Sequence, residues 1–195
     1  VYHQPEHVIL ASGSPRRIEL LTRAGYIFDV VPANVDERRK PDEPPEKYVA
    51  RLARDKVSAI AVDNVGRVVI GADTVVVINS AVLGKPDSAD EAVRMLKQLS
   101  GRAHKVLTGV AVRLGDACIS SVETTVVHLA ELDDACINWY VQTGEPSDKA
   151  GAYGIQGIAS RFVTRIEGSY SNVVGLPLAL VDRLLGRLSK GPVPR

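Results

Sequence analysis

One long apolar segment, Val68–Ile78, contains a single carboxylate at its centre, Asp73. The other ten residues are apolar, glycine or threonine, a composition typical of a buried strand. Burying a carboxylate costs free energy unless a cation or hydrogen-bond donors compensate for the lost water. We therefore expect Asp73 either to form a structural ion pair or to act as a metal ligand or general base at the floor of a cleft.

The composition excludes several classes of protein. The chain of 195 residues is 45% hydrophobic and 24% charged, which is ordinary for a globular protein. Its net charge of +1 provides no general field for a nucleic acid polymer or a membrane, and 5% aromatic residues leave few stacking platforms for RNA. The N-terminus lacks a signal-peptide pattern and no apolar run reaches membrane-spanning length, so we expect a cytoplasmic protein.

Strands and helices alternate in the first half of the chain and paired strands follow, which predicts an α/β protein with a mixed sheet. The predicted strands are Val8–Ala11, Ile27–Val31, Val68–Ile78, Lys105–Leu114, Ile119–Leu129 and Arg161–Ile166. The predicted helices are Pro15–Ala24, Pro45–Val62, Ser88–Leu99, Asp133–Thr143 and Pro177–Leu188. We expect residues 1–190 to form one domain with two lobes and Gly191–Arg195 to be a disordered tail.

A lysine interrupts the apolar face of the second predicted helix. At about 100° per residue, Lys56 falls near the middle of a stripe formed by Val49, Leu52, Ala53 and Ile60. One interpretation is that its aliphatic stem packs on the stripe while the ammonium reaches solvent. The other is that the ammonium points into a cleft, at an anion or a carboxylate.

Two turns place cations beside strand ends. In Ser12–Arg17 a turn of small residues precedes a helix, with Ser14 as its expected cap, so backbone N–H groups and the adjacent Arg16 and Arg17 could bind phosphate. The segment lacks the spacing of a Walker motif, and a capped helix with surface arginines is the alternative. Lys85 follows another strand in a Gly-Lys-Pro turn, where a solvated lysine is the alternative.

The segment Asp148–Gly157 contains three glycines, which allow tight turns and close approach of the backbone to a ligand. A flexible surface loop is the alternative, but Tyr153 and Ile155 are unusual in linkers. The amide of Gln156 is suited to the edge of a base. Carboxylates with scattered cations fit metal-assisted attack of water on a phosphate ester or anhydride, and Mg²⁺ prefers such carboxylates.

Seven segments spread over about residues 8–188 are individually weak but together highly specific. They are LASGSPRRIELL (Leu10–Leu21), YVARLARDK (Tyr48–Lys56), GADTVV (Gly71–Val76), GKP (Gly84–Pro86), LSGRAHKVLTGVAV (Leu99–Val112), GEPSDKAGAYGIQG (Gly144–Gly157) and YSNVVGLPL (Tyr170–Leu178). Their identity and order closely resemble the Maf family of nucleotide pyrophosphatases. The resemblance implies a mixed, twisted sheet flanked by helices, with two lobes around a cleft, similar to the inosine triphosphatase-like (Ham1) proteins.

The resemblance also implies an activity. Nucleoside triphosphates would be hydrolysed between the α and β phosphates, giving a monophosphate and pyrophosphate, with a divalent metal cation such as Mg²⁺ or Mn²⁺. In the family, the aspartate corresponding to Asp73 is the proposed general base, and Glu37 matches its acidic residue before the proline-rich loop. Arg16, Thr74 and Gln156 match the positions that mark substrate preference, and they resemble the branch acting on dTTP and UTP, with CTP or modified pyrimidine nucleotides as further substrates.

From the residues and the resemblance together we predict three overlapping groups of site residues. They are catalytic Asp73, Lys56, Lys85 and Glu37; substrate-binding Ser12, Arg16, Arg17, Thr74 and Gln156; and metal-binding Glu37 and Asp73. The expected partner is a small nucleoside triphosphate, with no nucleic acid polymer and no membrane, and the expected assembly is a homodimer. The alternative function is a nucleotide-binding regulator of cell division or septum formation without turnover, but spare carboxylates favour an enzyme.

Asp73 and Thr74 are adjacent, so a regular strand would place their side chains on opposite faces. Both could serve one site only if the strand bends or ends there. Gly71 is the position at which a bulge would be expected.

Overall fold

The computed structural model describes residues 7–189, so the predicted tail Gly191–Arg195 lies outside the described residues. The strands are β1 Val8–Leu10, β2 Phe28–Val30, β3 Val69–Ile78, β4 Ala81–Leu83, β5 Ala103–Leu114, β6 Ala117–Leu129 and β7 Val163–Glu167. The α-helices are α1 Pro15–Arg23, α2 Pro45–Ala61, α3 Ala89–Leu99, α4 Asp134–Gln142, α5 Tyr170–Val174 and α6 Leu178–Leu188. Short 3-10 helices occupy Glu145–Asp148, Ala150–Ala152 and Ile158–Phe162.

The seven strands form one hydrogen-bonded sheet in the order β2-β1-β3-β5-β6-β7, with β4 also paired to β3. β1 runs parallel to both β2 and β3, whereas β4 runs antiparallel to β3 and β7 antiparallel to β6. The predicted α/β architecture with a mixed sheet flanked by helices is therefore confirmed. In residues 7–189 no helix is both long enough and apolar enough to cross a bilayer.

Besides the three 3-10 helices, one strand and one α-helix were not predicted from the sequence. β4 returns along β3 through a two-residue turn in which Asn79 and Ser80 have φ angles of 48° and 66°. Hairpin turns of this kind usually carry glycine after asparagine, so the Asn-Ser pair gave no turn signal. The short helix α5 (Tyr170–Val174) was also missed, because five residues are too few to show helical periodicity.

The described residues divide into two compact units. Unit 1 comprises Thr108–Glu123 with the described parts of Val1–Asp73 and Gly175–Arg195, and unit 2 comprises Thr74–Leu107 and Thr124–Val174. Unit 1 has a buried apolar cluster of Ile9, Ala11, Ala53, Val57, Val69 and Ala111. In unit 2 the apolar cluster includes an edge-to-face pair of Tyr140 and Phe162, with ring centroids 5.3 Å apart. The assignment of residues 1–190 to one domain stays a prediction.

Within unit 1, two glycines let α2 lie close to the sheet. A Cβ added at Gly71 in β3 would lie 2.8 Å from Val57 Cγ1, and one at Gly109 in β5 would lie 2.2 Å from the Val49 carbonyl oxygen. β3 continues from Val69 to Ile78, so Gly71 provides room for a helix within a continuous strand. This close approach brings the buried face of α2 onto the strand that carries Asp73.

We expect Gly109→Ala to destabilise the fold by about 3 kcal/mol, because a methyl group would overlap the α2 backbone, which cannot move aside as a side chain could. The matched control is Gly186→Ala in α6, where an added Cβ meets nothing within 4 Å and which should be neutral or stabilising by about 0.5–1 kcal/mol. Urea unfolding of both variants measures the two effects. Equal stability of Gly109→Ala and the unsubstituted chain would show that α2 can retreat from β5.

Candidate active site

Lys56 joins two carboxylates in unit 1. Its Nζ lies 2.7 Å from Oδ1 of Asp73 and 2.7 Å from Oε1 of Glu37. Lys56 and Asp73 are only 6% and 9% exposed, whereas the Glu37 side chain is 59% exposed. The cluster therefore has a buried end at Asp73 and a solvent-facing end at Glu37.

This geometry decides between the two interpretations of Lys56. Its ammonium is paired inside the protein with carboxylates, so the interpretation in which it reaches solvent is wrong. The same contact supplies the cation that a carboxylate buried in β3 requires. It also means that Asp73 has a structural partner, and its catalytic role stays a prediction.

A second buried cation stabilises the turn before α1. Arg17 is 9% exposed, and it donates from Nη1 to Ser12 Oγ at 3.1 Å and from Nε to the carbonyl oxygen of Gly175 at 2.8 Å. Burial lowers the pKa of the Arg17 guanidinium, and the charges of Asp73 and Glu37 oppose that shift. The two hydrogen bonds of the buried Arg17 side chain therefore stabilise the turn before α1.

The expected cap of α1 is only partly present. Ser14 occupies the N-cap position and Pro15 begins the helix, but the Ser14 side chain makes no capping hydrogen bond. Instead, the Ser14 N–H donates to Ser12 Oγ at 3.3 Å. Arg16 is half-buried on the first turn of the helix. Substrate binding by Ser12, Arg16 and Arg17 stays a prediction.

The loop that carries Glu37 is attached to α2 by side chains of that helix. Tyr48 donates from its hydroxyl to the Glu37 carbonyl oxygen at 2.7 Å. Arg51 forms two hydrogen bonds of 2.7 and 2.8 Å with the Glu43 carboxylate, and this pairing lowers the pKa of Glu43 to about 2. Burial and the nearby charges of Asp73 and Glu37 raise the pKa of Tyr48. The position of Glu37 is therefore set largely by α2.

Unit 2 contains the other three predicted site residues. Thr74 is half-buried in β3, while Lys85 in the turn after β4 and Gln156 in the glycine-rich segment are exposed. The N–H of Gly151 donates to the carbonyl oxygen of Gly84 at 3.0 Å, so the segment is joined to the turn that carries Lys85. The alternative of a flexible loop is wrong for this segment, since 3-10 helices occupy part of it.

Sequence reasoning missed two residues that organise this segment. His104 is 3% exposed and its Nε2 lies 2.7 Å from the Tyr153 hydroxyl oxygen, with the two rings in an edge-to-face arrangement. Glu145 accepts hydrogen bonds from the Tyr140 hydroxyl and from the backbone N–H of Ile158. Both residues stand within the quoted family segments, but neither spacing nor periodicity marks them as organising residues.

Two carboxylates of unit 1 lie close enough together to bind one divalent cation. Glu37 and Asp73 contact the same nitrogen, so their contacting oxygens can be no farther apart than twice 2.7 Å. Within residues 7–189, no group of three or more His, Cys, Asp or Glu side chains could hold a metal ion. A pair of carboxylates suits Mg²⁺, which keeps several waters and takes further oxygens from substrate phosphates.

Comparison with known proteins identifies the family. Residues 7–188 match the family described as Maf-like protein, and the chain belongs to this family. It is 53% identical over 184 residues to the dTTP/UTP pyrophosphatase of Anaeromyxobacter dehalogenans, covering 92% of this chain and 93% of that protein. It is 54% identical over 179 residues to the dTTP/UTP pyrophosphatase of Vibrio cholerae, covering 91% of this chain and 96% of that protein.

A solved structure is similar in fold alone. The HAM1 protein of Coxiella burnetii aligns with a TM-score of 0.52 at 12% identity, over 93% of this chain and 98% of that one. This similarity confirms the Ham1-like fold that the family resemblance implies.

We expect Lys56→Met to destabilise the protein by about 3 kcal/mol at neutral pH, because it leaves the buried Asp73 carboxylate without its cation. Adding Asp73→Asn should recover part of this loss, since the amide carries no charge. Lys47→Met makes the same substitution at an exposed position of α2 and should change stability by about 0.5 kcal/mol or less. Urea unfolding at pH 7 compares these variants, and a Lys56→Met protein as stable as the unsubstituted chain would contradict the role of the ion cluster.

His104 should make stability depend on pH. Burial lowers its pKa from 6.5 to about 4, so its neutral form contributes stability that is complete above pH 6.5 and is lost as the pH falls toward 4. For these two pKa values the loss between pH 7 and pH 5 is about 2 kcal/mol. His104→Gln retains a polar group for Tyr153 but cannot titrate, so it should flatten the pH profile of the unfolding free energy. Parallel profiles for the two proteins would contradict this assignment.

Proposed function

We propose that this chain is a dTTP/UTP pyrophosphatase, which hydrolyses these nucleotides to the monophosphate and pyrophosphate. The observation that carries the proposal is the cluster in which Lys56 lies between Asp73 and Glu37. Relatives named dTTP/UTP pyrophosphatase share more than half of the residues over about nine tenths of the chain. A cluster with a buried carboxylate at one end and an exposed one at the other suits a reaction that activates water beside a polyanion.

We assign Asp73 the role of orienting a water molecule and accepting its proton. Its burial restricts the carboxylate to few orientations, and Lys56 holds it through Oδ1. Lys56 and Arg16 neutralise negative charge on the phosphates. We assign Lys85 the same function, and Gln156 the recognition of the pyrimidine edge, because a primary amide has both a donor and an acceptor.

Glu37 and Asp73 are the residues that would hold Mg²⁺ or Mn²⁺. When bound, such an ion neutralises charge on the phosphates and lowers the pKa of a bound water molecule. The exposed position of Glu37 leaves it accessible to an ion that arrives with the nucleotide. The Lys56 ammonium contacts the same two carboxylates and would keep them close together.

A nucleotide-binding regulator of septum formation is the alternative, and release of pyrophosphate from UTP or dTTP distinguishes the two. A regulator would bind the nucleotide without turnover. The cytoplasmic location and the homodimer remain predictions.

We expect Asp73→Asn to lower kcat for UTP by roughly 10²–10⁴, which is the usual cost of losing a general base. The affinity for UTP should change only a few-fold, because the amide keeps the size of the side chain. Asp29→Asn is the matched control, since it makes the same substitution at a carboxylate of unit 1 that is ion-paired with Arg67, but it lies outside the proposed catalytic group and outside the loop that carries Glu37. Pyrophosphate release and nucleotide titration give the two quantities, and an unchanged kcat would remove Asp73 from the mechanism.

A further inference from the structure

Glu145 lies beside the backbone that carries Gln156. One carboxylate oxygen, Oε1, accepts from the Tyr140 hydroxyl at 2.9 Å and from the Ala159 N–H at 3.3 Å. The other, Oε2, accepts from the Ile158 N–H at 2.8 Å. Three donors from α4 and from the start of the 3-10 helix Ile158–Phe162 therefore converge on a single carboxylate.

The residue after Gln156 is packed directly against this carboxylate. A Cβ added at Gly157 would lie 2.4 Å from Oε2 of Glu145, so the Glu145 carboxylate would have to move away from its three donors. Glycine at position 157 thus leaves the carboxylate the space that it occupies beside the backbone. The backbone from Gln156 to Ile158 is held in two ways. The Glu145 carboxylate lies against Gly157, and the N–H of Ile158 donates to Oε2 of Glu145.

The residues before Gln156 are fixed as well. Ile155 is 8% exposed, and Tyr153 is 5% exposed and bonded to His104. Gln156 itself is exposed. The segment thus has one outward-facing amide between anchored neighbours, which is the arrangement needed to present a side chain in a defined direction.

We propose that Glu145 is the positioning residue for base recognition: it fixes the backbone that orients Gln156 toward the pyrimidine of the substrate. This inference rests on the proposed function in that it takes a pyrimidine nucleoside triphosphate as the ligand. Glu145 does not touch the nucleotide in this account, and it acts through Gln156.

A carboxylate is required at this position because it only accepts hydrogen bonds. In Glu145→Gln the side-chain NH2 replaces one of the two oxygens, so in either orientation a donor would face a backbone N–H, that of Ile158 or that of Ala159. A facing pair of donors is unfavourable and would shift the peptide that follows Gln156. The amide of Gln156 would then be misplaced relative to the base, while groups that bind the phosphates would stay in place.

The experiment measures the affinity of two probes by titration calorimetry. They are α,β-methylene-UTP, which resists cleavage between the α and β phosphates, and inorganic tripolyphosphate, which has no base. Glu145→Gln and Gln156→Ala should each weaken binding of the UTP analogue about tenfold and change tripolyphosphate binding by less than about twofold. The double variant should bind the UTP analogue no more than about twofold more weakly than Gln156→Ala alone, because the two residues act as one unit.

Ser100→Ala is the matched control. Ser100 forms hydrogen bonds with the backbone of Leu132 in unit 2, so its loss also removes a half-buried hydrogen-bonding side chain but does not involve the glycine-rich segment. It should lower the melting temperature and leave the affinities for the two probes unchanged. Thermal unfolding of Glu145→Gln shows whether that variant is folded at the temperature of the titration, and Tyr140→Phe, which removes a single donor to Glu145, provides a milder test with the same expected direction.

Equal weakening of both probes by Glu145→Gln would overturn the inference, as would losses that add in the double variant. Unchanged binding of the UTP analogue by Glu145→Gln would also overturn it. Failure of the proposed function is a separate result, because it appears as absence of pyrophosphate release from UTP by the unsubstituted protein. Since the titrations use a probe that is not cleaved, they test the role of Glu145 whether or not turnover occurs.

Discussion

The contact on which the rest of unit 1 depends is the ion pair between Lys56 and Asp73. A carboxylate in the middle of a buried strand requires a cation nearby, and a lysine on the buried face of a helix requires an anion. Each residue supplies the opposite charge that burial of the other requires. The pair therefore ties α2 to β3 and, through the second contact of Lys56, ties both to Glu37.

This contact is possible because α2 packs closely against β3 and β5. Gly71 and Gly109 remove side chains from the strands where the helix passes, and Ala53 on the helix itself is small. Tyr48 and Arg51 on the same helix hold the loop that carries Glu37. One helix thus carries the ammonium, holds the loop of Glu37 and packs on the strand that carries Asp73, so the packing of α2 and the proposed chemistry are linked.

Much of this arrangement could be predicted from the sequence. The apolar surroundings of Asp73 predicted a partner for its charge, and the angular position of Lys56 allowed a carboxylate partner as one of two interpretations. The alternation of elements predicted a mixed α/β sheet. The Asn79–Ser80 hairpin and the helix α5 escaped prediction because their local signals are weak or too short. Glu145 escaped because its partners are mostly backbone N–H groups distant in sequence, and no pattern of side chains records such bonds.

We propose that water attacks the α-phosphorus of a pyrimidine nucleoside triphosphate at the cluster of Glu37, Lys56 and Asp73. Incubating UTP with the protein and Mg²⁺ in H₂¹⁸O, followed by phosphorus NMR of the products, tests this claim most directly. The account predicts UMP and pyrophosphate as products, with the heavy oxygen in UMP. Heavy oxygen in pyrophosphate, or formation of UDP and phosphate, would contradict it.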